Sequence, residues 1–215
     1  YKGKLIYEHS VDKVLESGLF DKIIVVVKKK SFLKKKYPKN VKIILGGKER
    51  CDSSLIGLMF ARKFKPKNIF IHDAARPNFS INLLKKLLKK LKKYDAVIPY
   101  VRSKDSTKYN LKNDIYNLNR KNLLLTQTPQ AFKFNKIFEL SKTNKTKIHD
   151  ESSLFINKNY SLKFIPGELS NFKITYNNDV QQIKTYYGIG FDIHKLIKKK
   201  KLYLGGIKIP YHSGL

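Results

Sequence analysis

The sequence is poor in the features that mark secreted and membrane proteins. A single cysteine, Cys51, among 215 residues excludes a framework of intrachain disulfides and suits a reducing compartment. No apolar run approaches the roughly 20 residues that a membrane-spanning helix needs, and no signal-peptide pattern opens the chain. The sequence therefore predicts a cytoplasmic protein without a membrane partner.

Acidic residues and arginine are also scarce. The chain has 16 Asp and Glu against 46 Lys and Arg, a formal net charge of +30, which raises nucleic acid as a partner. Five of the basic residues are arginines, and the lysines are spread through nearly every segment. Proteins that bind nucleic acid sequence-specifically use arginine for bidentate hydrogen bonds to bases and concentrate their positive charge on one structural element. We therefore interpret the charge as a drift in composition and do not expect nucleic acid as the main partner.

Short apolar runs rich in β-branched residues alternate with segments of helical period. The runs predict strands at Lys22–Val27, Val41–Leu45, Asn68–His72 and Asp95–Val101. The helical segments between them follow polar residues that suit N-caps, namely Ser10, Asp52 and Ser80. This alternation predicts an α/β fold, a doubly wound and mostly parallel Rossmann-like sheet. The third helix alternates leucine pairs with lysine pairs, which is typical of a surface helix packed on a sheet.

The pattern changes to a polar stretch at Ser103–Asn119. Two short alternating pieces, TKYNL and DIYNL, are joined by Lys112 and Asn113, which predicts a projecting β-hairpin arm. Helical segments at 135–141 and 150–156 follow, then the predicted strands SLKFIPG and NFKIT and a helix over NNDVQQIKTYY. After Tyr187 strand-like pieces begin again, so we place a domain boundary near Gly188, with domains at 1–187 and 188–215.

Two polar segments follow neighbouring predicted strands. IHDAARP places Asp73 and Arg76 directly after one strand, and GGKERCDSS follows another strand and leads into a helix. In an open α/β sheet, ligands bind beyond the carboxyl ends of the strands. Each segment alone also fits a structural explanation, because a Gly-Gly pair makes a turn, Asp52 caps a helix, and Asp73 with Arg76 forms an ion pair.

Together, six segments carry a resemblance. GGKERCDSSLIGL, IHDAARP, KDSTK, NRKNLLLTQTPQAF, HDESSLF and NFKIT occur in this order over Tyr1–Tyr187. With these segments in this order, the chain resembles the 2-C-methyl-D-erythritol 4-phosphate cytidylyltransferase family of the non-mevalonate isoprenoid pathway. The resemblance implies transfer of CMP from CTP to methylerythritol phosphate, release of pyrophosphate, and use of Mg²⁺.

The resemblance also assigns roles on the nucleotide side. It implies that Gly47 and Ser53 lie at the cytosine, that Ala74 lies near the ribose, and that Lys173 lies near the reacting phosphates. Attack of a phosphate oxygen on the α-phosphate brings two anions together. Catalysis should therefore consist mainly of charge neutralisation and positioning.

On the acceptor side, the resemblance implies that Asp73 and Arg76 lie at the methylerythritol phosphate. Arg76 is expected either to orient Asp73 or to contact the acceptor. Ser106 matches a substrate-binding threonine, and Arg120 matches an arginine that reaches a neighbouring subunit's site from the arm. A homodimer or higher homo-oligomer is therefore expected, with each site completed by its neighbour.

The glycine-rich phosphate loop of the family precedes the segment matched by YKGKLIYEHSVDKVL and has no counterpart in this chain. Backbone N–H groups of such loops supply much of the triphosphate binding. We therefore interpret both ends as cuts in a longer protein and expect the chain alone to have little or no transferase activity.

The tail carries a second resemblance. YGIGFDIHKL and LYLGGIKIPY resemble the start of 2-C-methyl-D-erythritol 2,4-cyclodiphosphate synthase, the first strands of an α+β domain. Asp192 and His194 match two of that family's ligands for Zn²⁺ or another divalent metal, and the third ligand is expected after Leu215. The order of motifs implies a bifunctional parent that also forms the 2,4-cyclodiphosphate with release of CMP.

Two alternatives stay open. A cytidylyltransferase for another sugar-alcohol phosphate, such as ribitol phosphate, would share the same crevice, and a non-catalytic anion- or nucleic-acid-binding protein would use the lysines. Asp150 and Glu151 fit either a helix cap with a first-turn acid or a role in acceptor binding. We interpret His72, His149 and His212 as structural.

Overall fold

The computed structural model describes residues 3–34, 36–112, 114–144, 148, 150–156, 158–176, 178–179 and 195–214. The chain divides into two compact units, Tyr1–Val180 and Gln181–Leu215. The domain boundary predicted near Gly188 lies outside the described residues. Within the described ranges, no helix is both long and apolar enough to cross a membrane.

The first unit contains helices and strands in alternation. Its described α-helices are α1 Ile6–Ser17, α2 Arg50–Ala61, α3 Ile81–Leu91 and α4 Phe134–Thr143. Its described strands are β1 Ile23–Val27, β2 Val41–Leu45, β3 Asn68–Ile71, β4 Ala96–Arg102, β5 Thr107–Leu111, β6 Asp114–Leu118, β7 Leu124–Thr126, β8 Gln130–Lys133 and β9 Leu162–Pro166. Short 3-10 helices lie at Lys30–Lys34, Arg62–Phe64, Arg120–Asn122 and Glu151–Leu154.

The α/β fold is confirmed, but the sheet is mixed and not mostly parallel. β1 and β2 pair in parallel, and β4 pairs in parallel with β9. β8 lies between β3 and β4 and is antiparallel to both, and β7 is antiparallel to β4. The physical reason is the return of the chain after the β5–β6 hairpin, which runs back through β7 and β8 against the direction of β3 and β4.

Both faces of the five-stranded sheet are covered, as a doubly wound fold requires. Successive strand residues point to opposite faces. Ala96 and Ile98 of β4 accordingly join the hydrophobic cluster that contains buried residues of α2 and α4. Val97, between them, joins a second cluster with the leucines of α3. β8 divides in the same way, with Phe132 in the first cluster and Ala131 in the second.

Two helices begin earlier than predicted. α1 starts ahead of Ser10, because the Leu5 N–H donates to Glu8 Oε2 at 2.9 Å. α2 starts ahead of Asp52, whose carboxylate accepts the Glu49 N–H at 3.0 Å. In both cases an acid in the first turn reaches back three residues, so it is the second member of a capping pair and not the cap itself.

α3 begins where the sequence predicts. The Ser80 hydroxyl accepts the Leu83 N–H at 3.0 Å, which confirms Ser80 as the N-cap. Four leucines of this helix are buried against the sheet, namely Leu83, Leu84, Leu87 and Leu91. α3 is therefore a surface helix packed on the sheet through one apolar face.

The hairpin pairing is confirmed, whereas the strand predicted at NFKIT is wrong. β5 and β6 pair antiparallel from Thr107 opposite Leu118 to Leu111 opposite Asp114, and both strands are largely exposed. NFKIT has no assigned secondary structure and no strand partner over its length. Single hydrogen bonds hold it instead, such as the Ile174 N–H to the Ala75 carbonyl at 2.8 Å.

The second unit contains short antiparallel pairs. β10 Ile197–Lys198 pairs with β13 Ser213–Gly214, and β11 Leu202–Leu204 pairs with β12 Ile207–Ile209. The β11–β12 turn is Gly205-Gly206, with φ of 57° and 80°. A two-residue hairpin turn with positive φ at both positions favours glycine, which explains the GG within KLYLGGIKIPY.

Candidate active site

The carboxyl end of β3 leads into the turn that carries Asp73. The Arg76 N–H donates to the Asp73 carbonyl at 3.0 Å, which closes the turn. The Asp73 N–H donates to the Thr128 hydroxyl at 2.9 Å, just ahead of β8. The predicted aspartate is therefore fixed at the end of the strand, where ligands bind in open α/β sheets.

Four charged side chains meet at this point. Arg50 Nε donates to Asp73 Oδ1 at 3.0 Å, and Lys173 Nζ lies 3.4 Å from Asp73 Oδ2. The two terminal nitrogens of Arg50 donate to the two oxygens of Glu151 at 2.9 and 2.8 Å. Two cations thus balance two carboxylates, and the segments that carry them come from distant parts of the chain.

The electrostatics of Asp73 follow from these contacts. Burial on its own would raise the pKa of Asp73, but the charge and hydrogen bond of Arg50, followed by those of Lys173, hold that pKa below its ordinary value. Burial likewise opposes the charge on Arg50, but the bonds and charges of Glu151 and Asp73 raise its pKa overall. Both groups are therefore ionised near neutral pH.

The loop after β2 has no room for side chains at its glycines. A Cβ on Gly46 would lie 2.6 Å from Ser53 Oγ, and one on Gly47 would lie 2.4 Å from Asp52 Cβ. The Ser53 hydroxyl accepts the Gly47 N–H at 3.2 Å and donates to the Glu49 carbonyl at 3.1 Å. Gly47 and Ser53 are therefore in direct contact, and glycine is required here by close approach.

The segment that carries Lys173 is held by Arg76. Arg76 Nη1 donates to the Asn171 carbonyl at 2.9 Å, and the Asn171 side chain donates to the Thr128 carbonyl at 2.9 Å. Burial lowers the pKa of Arg76, and the charge of Asp73 offsets this in part. The guanidinium that orients Asp73 through hydrogen bonds is that of Arg50. Arg76 instead fixes the backbone that presents Lys173.

Other predicted site residues lie apart from these contacts. Ser106 is exposed in the loop between β4 and β5, and Arg120 is exposed beyond β6, where Nη1 donates to the Lys104 carbonyl at 2.9 Å. Ala74 lies exposed in the turn after Asp73. Asp192 and His194 fall outside the described residues. Of the predicted site residues, Gly47 contacts Ser53, and Asp73 contacts Lys173.

The acids of HDESS have separate roles. Asp150 accepts the Ser153 N–H at 3.2 Å and the Thr126 hydroxyl at 2.8 Å, so the interpretation as a cap is confirmed. Glu151 is 1% exposed and pairs with Arg50, a role that sequence analysis missed. No signal in the sequence identifies this pair, because the burial that makes a glutamate need a cationic partner is seen only in the structure.

His72 has partners on both ring nitrogens. Nδ1 lies 3.1 Å from the Thr128 hydroxyl and Nε2 lies 3.3 Å from the Ser10 hydroxyl of α1. The ring also packs edge-on against Phe79, with centroids 4.6 Å apart. We assign the proton to Nε2, because Thr128 can then donate to Nδ1 while its oxygen accepts the Asp73 N–H. These contacts agree with a structural role for His72, with Thr128 and Ser10 as its hydrogen-bond partners.

Lowering the pH should reduce the stability of the fold because His72 is buried in its neutral form. Burial lowers its pKa to about 4, from 6.5 in the unfolded chain. Between these values the unfolded chain binds a proton that the folded chain does not, so the free energy of unfolding falls as pH drops from 6.5 toward 4. The loss should reach about 3 kcal/mol at most. Urea unfolding of the wild type and His72→Gln across this range measures it, and parallel pH profiles would contradict it.

The described residues hold no cluster of three or more His, Cys, Asp and Glu that could bind a metal ion. The two carboxylates at the site do not fit a magnesium cage either. Asp73 already binds Arg50 and Lys173, and both oxygens of Glu151 bind Arg50. These carboxylates are therefore engaged with cationic side chains and are not arranged as magnesium ligands.

Comparisons with known proteins show which enzymes the chain is similar to in sequence and fold. The chain is 46% identical over its whole length to a bifunctional IspD/IspF enzyme of Pelagibacter ubique, and it spans 58% of that relative. Its fold matches 4-diphosphocytidyl-2C-methyl-D-erythritol synthase of Anaerococcus prevotii, with TM-score 0.74, 30% identity and 84% of each chain covered. It also matches bifunctional IspDF of Campylobacter jejuni, with TM-score 0.73, 25% identity, and coverage of 98% of this chain and 57% of that one.

The sequence model of one family matches residues 1–188. This range includes the Arg50–Asp73–Glu151–Lys173 cluster and the glycine loop, by which we mean Gly46 and Gly47 after β2. The chain belongs to that family, IspD, the 2-C-methyl-D-erythritol 4-phosphate cytidylyltransferases.

Proposed function

We propose that the complete protein transfers CMP from CTP to 2-C-methyl-D-erythritol 4-phosphate and releases pyrophosphate. The observation that carries the proposal is the placement of Lys173 beside Asp73, 3.4 Å apart, at the carboxyl end of β3. A phosphate-binding cation and a hydroxyl-binding carboxylate are thereby adjacent. Family membership supports the same reaction.

The proposed reaction makes one bond and breaks one. A phosphate oxygen of the acceptor attacks the α-phosphorus of CTP, the bond from that phosphorus to the bridging oxygen breaks, and pyrophosphate leaves with the electron pair. Lys173 is proposed to neutralise charge at the phosphorus during attack. Asp73, ionised and fixed by Arg50, is proposed to accept hydrogen bonds from hydroxyls of the acceptor, and Arg76 to hold the Lys173 segment and contact the acceptor.

The nucleotide is proposed to bind over the glycine loop. Gly47 and Ser53, which are held together by the hydrogen bond from the Gly47 N–H, would face the cytosine, and Ala74 would lie near the ribose. Magnesium is proposed to enter as part of the substrate, bound to oxygens of the triphosphate, since Mg²⁺ prefers phosphate oxygens and water to protein cages.

We also propose that the β5–β6 hairpin completes the site of a second copy, bringing Ser106 and Arg120 to its acceptor phosphate. Exposed apolar side chains on the hairpin, such as Tyr109, Ile115 and Tyr116, offer a surface for that contact. Mixed dimers of an Arg120→Ala protein and an Asp73→Ala protein should regain activity, because one of the two sites has neither change. Steady-state kinetics on such mixtures tests this, and no recovery would count against a shared site.

Relatives of similar sequence are bifunctional enzymes that are longer than this chain, which spans 58% of one and 60% of another. We propose that the complete protein also forms the 2,4-cyclodiphosphate with release of CMP. In it, Asp192 and His194 of a domain starting near 188 would bind Zn²⁺ or another divalent metal. The cytoplasm is the proposed compartment, on the free thiol of Cys51.

Pyrophosphate release from CTP tests the proposed transferase. The complete protein should release pyrophosphate with methylerythritol phosphate and magnesium, and should not do so with ribitol phosphate. Activity with ribitol phosphate alone would assign the chain to the other acceptor. Salt-dependent binding to arbitrary DNA that is tighter than binding to CTP, with no turnover, would favour the non-catalytic alternative.

A further inference from the structure

Arg50 connects three parts of the site through one side chain. It is the first residue of α2, directly after the glycine loop, and its partners Asp73 and Glu151 lie 23 and 101 residues further along the chain. Its side chain is partly buried, and Glu151 is almost fully buried. The three segments therefore meet at a guanidinium that sequence analysis did not assign to the site.

The geometry requires arginine. Both terminal nitrogens of Arg50 bind Glu151 in a forked pair at 2.9 and 2.8 Å, and Nε remains to bind Asp73 at 3.0 Å. A guanidinium holds these donors in one plane, whereas the single ammonium group of lysine cannot reach both carboxylates in the same way. Glu151 thus anchors the guanidinium, and the anchored guanidinium orients Asp73.

The two cations on Asp73 are not equivalent. The contact from Arg50 to Asp73 is the shorter one, at 3.0 Å, and the terminal nitrogens of Arg50 are held by Glu151. Lys173 is the longer contact, at 3.4 Å, and its side chain is 47% exposed. Asp73 would therefore keep the Arg50 contact if Lys173 moved away from it.

We propose that Arg50, anchored by Glu151, is the positioning residue for Asp73 and hence for the acceptor, an inference that rests on the proposed transferase function. Arg50 acts on the acceptor through Asp73 and does not itself contact the reacting atoms. Its loss should therefore change acceptor use and leave CTP use unaltered.

Kinetics of Arg50→Lys in the complete protein measures this effect. The variant keeps the positive charge and loses the fork. We expect kcat/KM for methylerythritol phosphate to fall by about 100-fold, the usual effect of misplacing a substrate-binding group by about 1 Å, with KM for CTP unchanged. Arg62→Lys is the matched control, because Arg62 is exposed and its guanidinium lies over the ring of Phe138, 5.5 Å from its centroid. Equal losses for CTP and acceptor would overturn the proposal.

A double-mutant cycle separates positioning from general destabilisation. In an Asp73→Asn background, Arg50→Lys should cause little further loss, because the residue through which it acts has already been changed. A role that is merely structural predicts the same fold-loss in both backgrounds, and that result would overturn the proposal. If Arg50→Lys does not fold, Glu151→Gln serves as the second variant and should shift acceptor kinetics in the same direction.

A measurement without turnover keeps this test distinct from that of the transferase. NMR titration of the Asp73 carboxyl carbon in this chain should show its pKa rising in Arg50→Lys and staying constant in Arg62→Lys. If the wild type lacks transferase activity but the titration shifts, the proposed function fails and the link between Arg50 and Asp73 stands. An unshifted titration overturns the role of Arg50 whatever the reaction.

Discussion

Replacing Lys173 with alanine should reduce pyrophosphate release by the complete protein by about 100- to 1000-fold, the usual effect of removing one group that stabilises developing charge. Asp73 pairs with Arg50 and with Lys173, and of these two cations Arg50 is also bound to Glu151. Because the Lys173 side chain is about half exposed, its removal should cost the fold little. A stopped assay for pyrophosphate, with thermal unfolding in parallel, measures both effects.

Lys4→Ala provides the control for this loss. Lys4 also pairs with an aspartate, Asp12 at 2.7 Å, and its side chain is 55% exposed, but this pair joins the segment before α1 to the middle of that helix. Its removal should leave turnover unchanged. Retention of more than about a tenth of the wild-type rate by Lys173→Ala would contradict a role at the phosphates. Lys173→Arg, which restores the charge with a different shape, should recover part of the activity.

Replacing Phe132 with alanine should lower the free energy of unfolding by about 3–5 kcal/mol, the range for a large aromatic side chain removed from a core. Phe132 lies in β8, opposite Ile69 of β3 and Ala96 of β4, and is 0% exposed. Its ring stacks on Phe155 with centroids 5.4 Å apart. The side chain therefore joins the central strands to the segment that follows Glu151.

Urea unfolding of this chain measures the effect, with Phe64→Ala as the matched control. Phe64 is 39% exposed at the end of the 3-10 helix after α2, so the same substitution should cost less than about 1 kcal/mol. Equal losses in the two variants would mean that β8 is not part of the stable core. A large loss should also disturb the position of Asp73, because Thr128, whose hydroxyl accepts the Asp73 N–H, lies two residues before β8.

The residue pattern is sufficient where structure depends on near neighbours. β1 to β4 coincide with apolar runs bounded by polar or Gly/Pro residues, and the β5–β6 ladder coincides with two alternating segments. Ser80 caps α3 as predicted, because the N–H that its hydroxyl accepts belongs to Leu83, only three residues along the chain. At α1 and α2 the pattern misleads, because two residues near each start can cap and the backbone selects Glu8 and Asp52 as the reaching partners.

The sequence by itself determined the alternation of strands and helices, the hairpin, the cap of α3 and, through its motifs, the family. Only the tertiary structure decided that β8 runs antiparallel between β3 and β4. The spacing of apolar residues along a strand is the same whether the strand pairs in parallel or antiparallel, so the sequence pattern does not give the direction. It also decided which cation orients Asp73. Arg76 is the nearer along the chain, but Arg50 makes the contact, since Glu151, 101 residues away, holds its guanidinium in place.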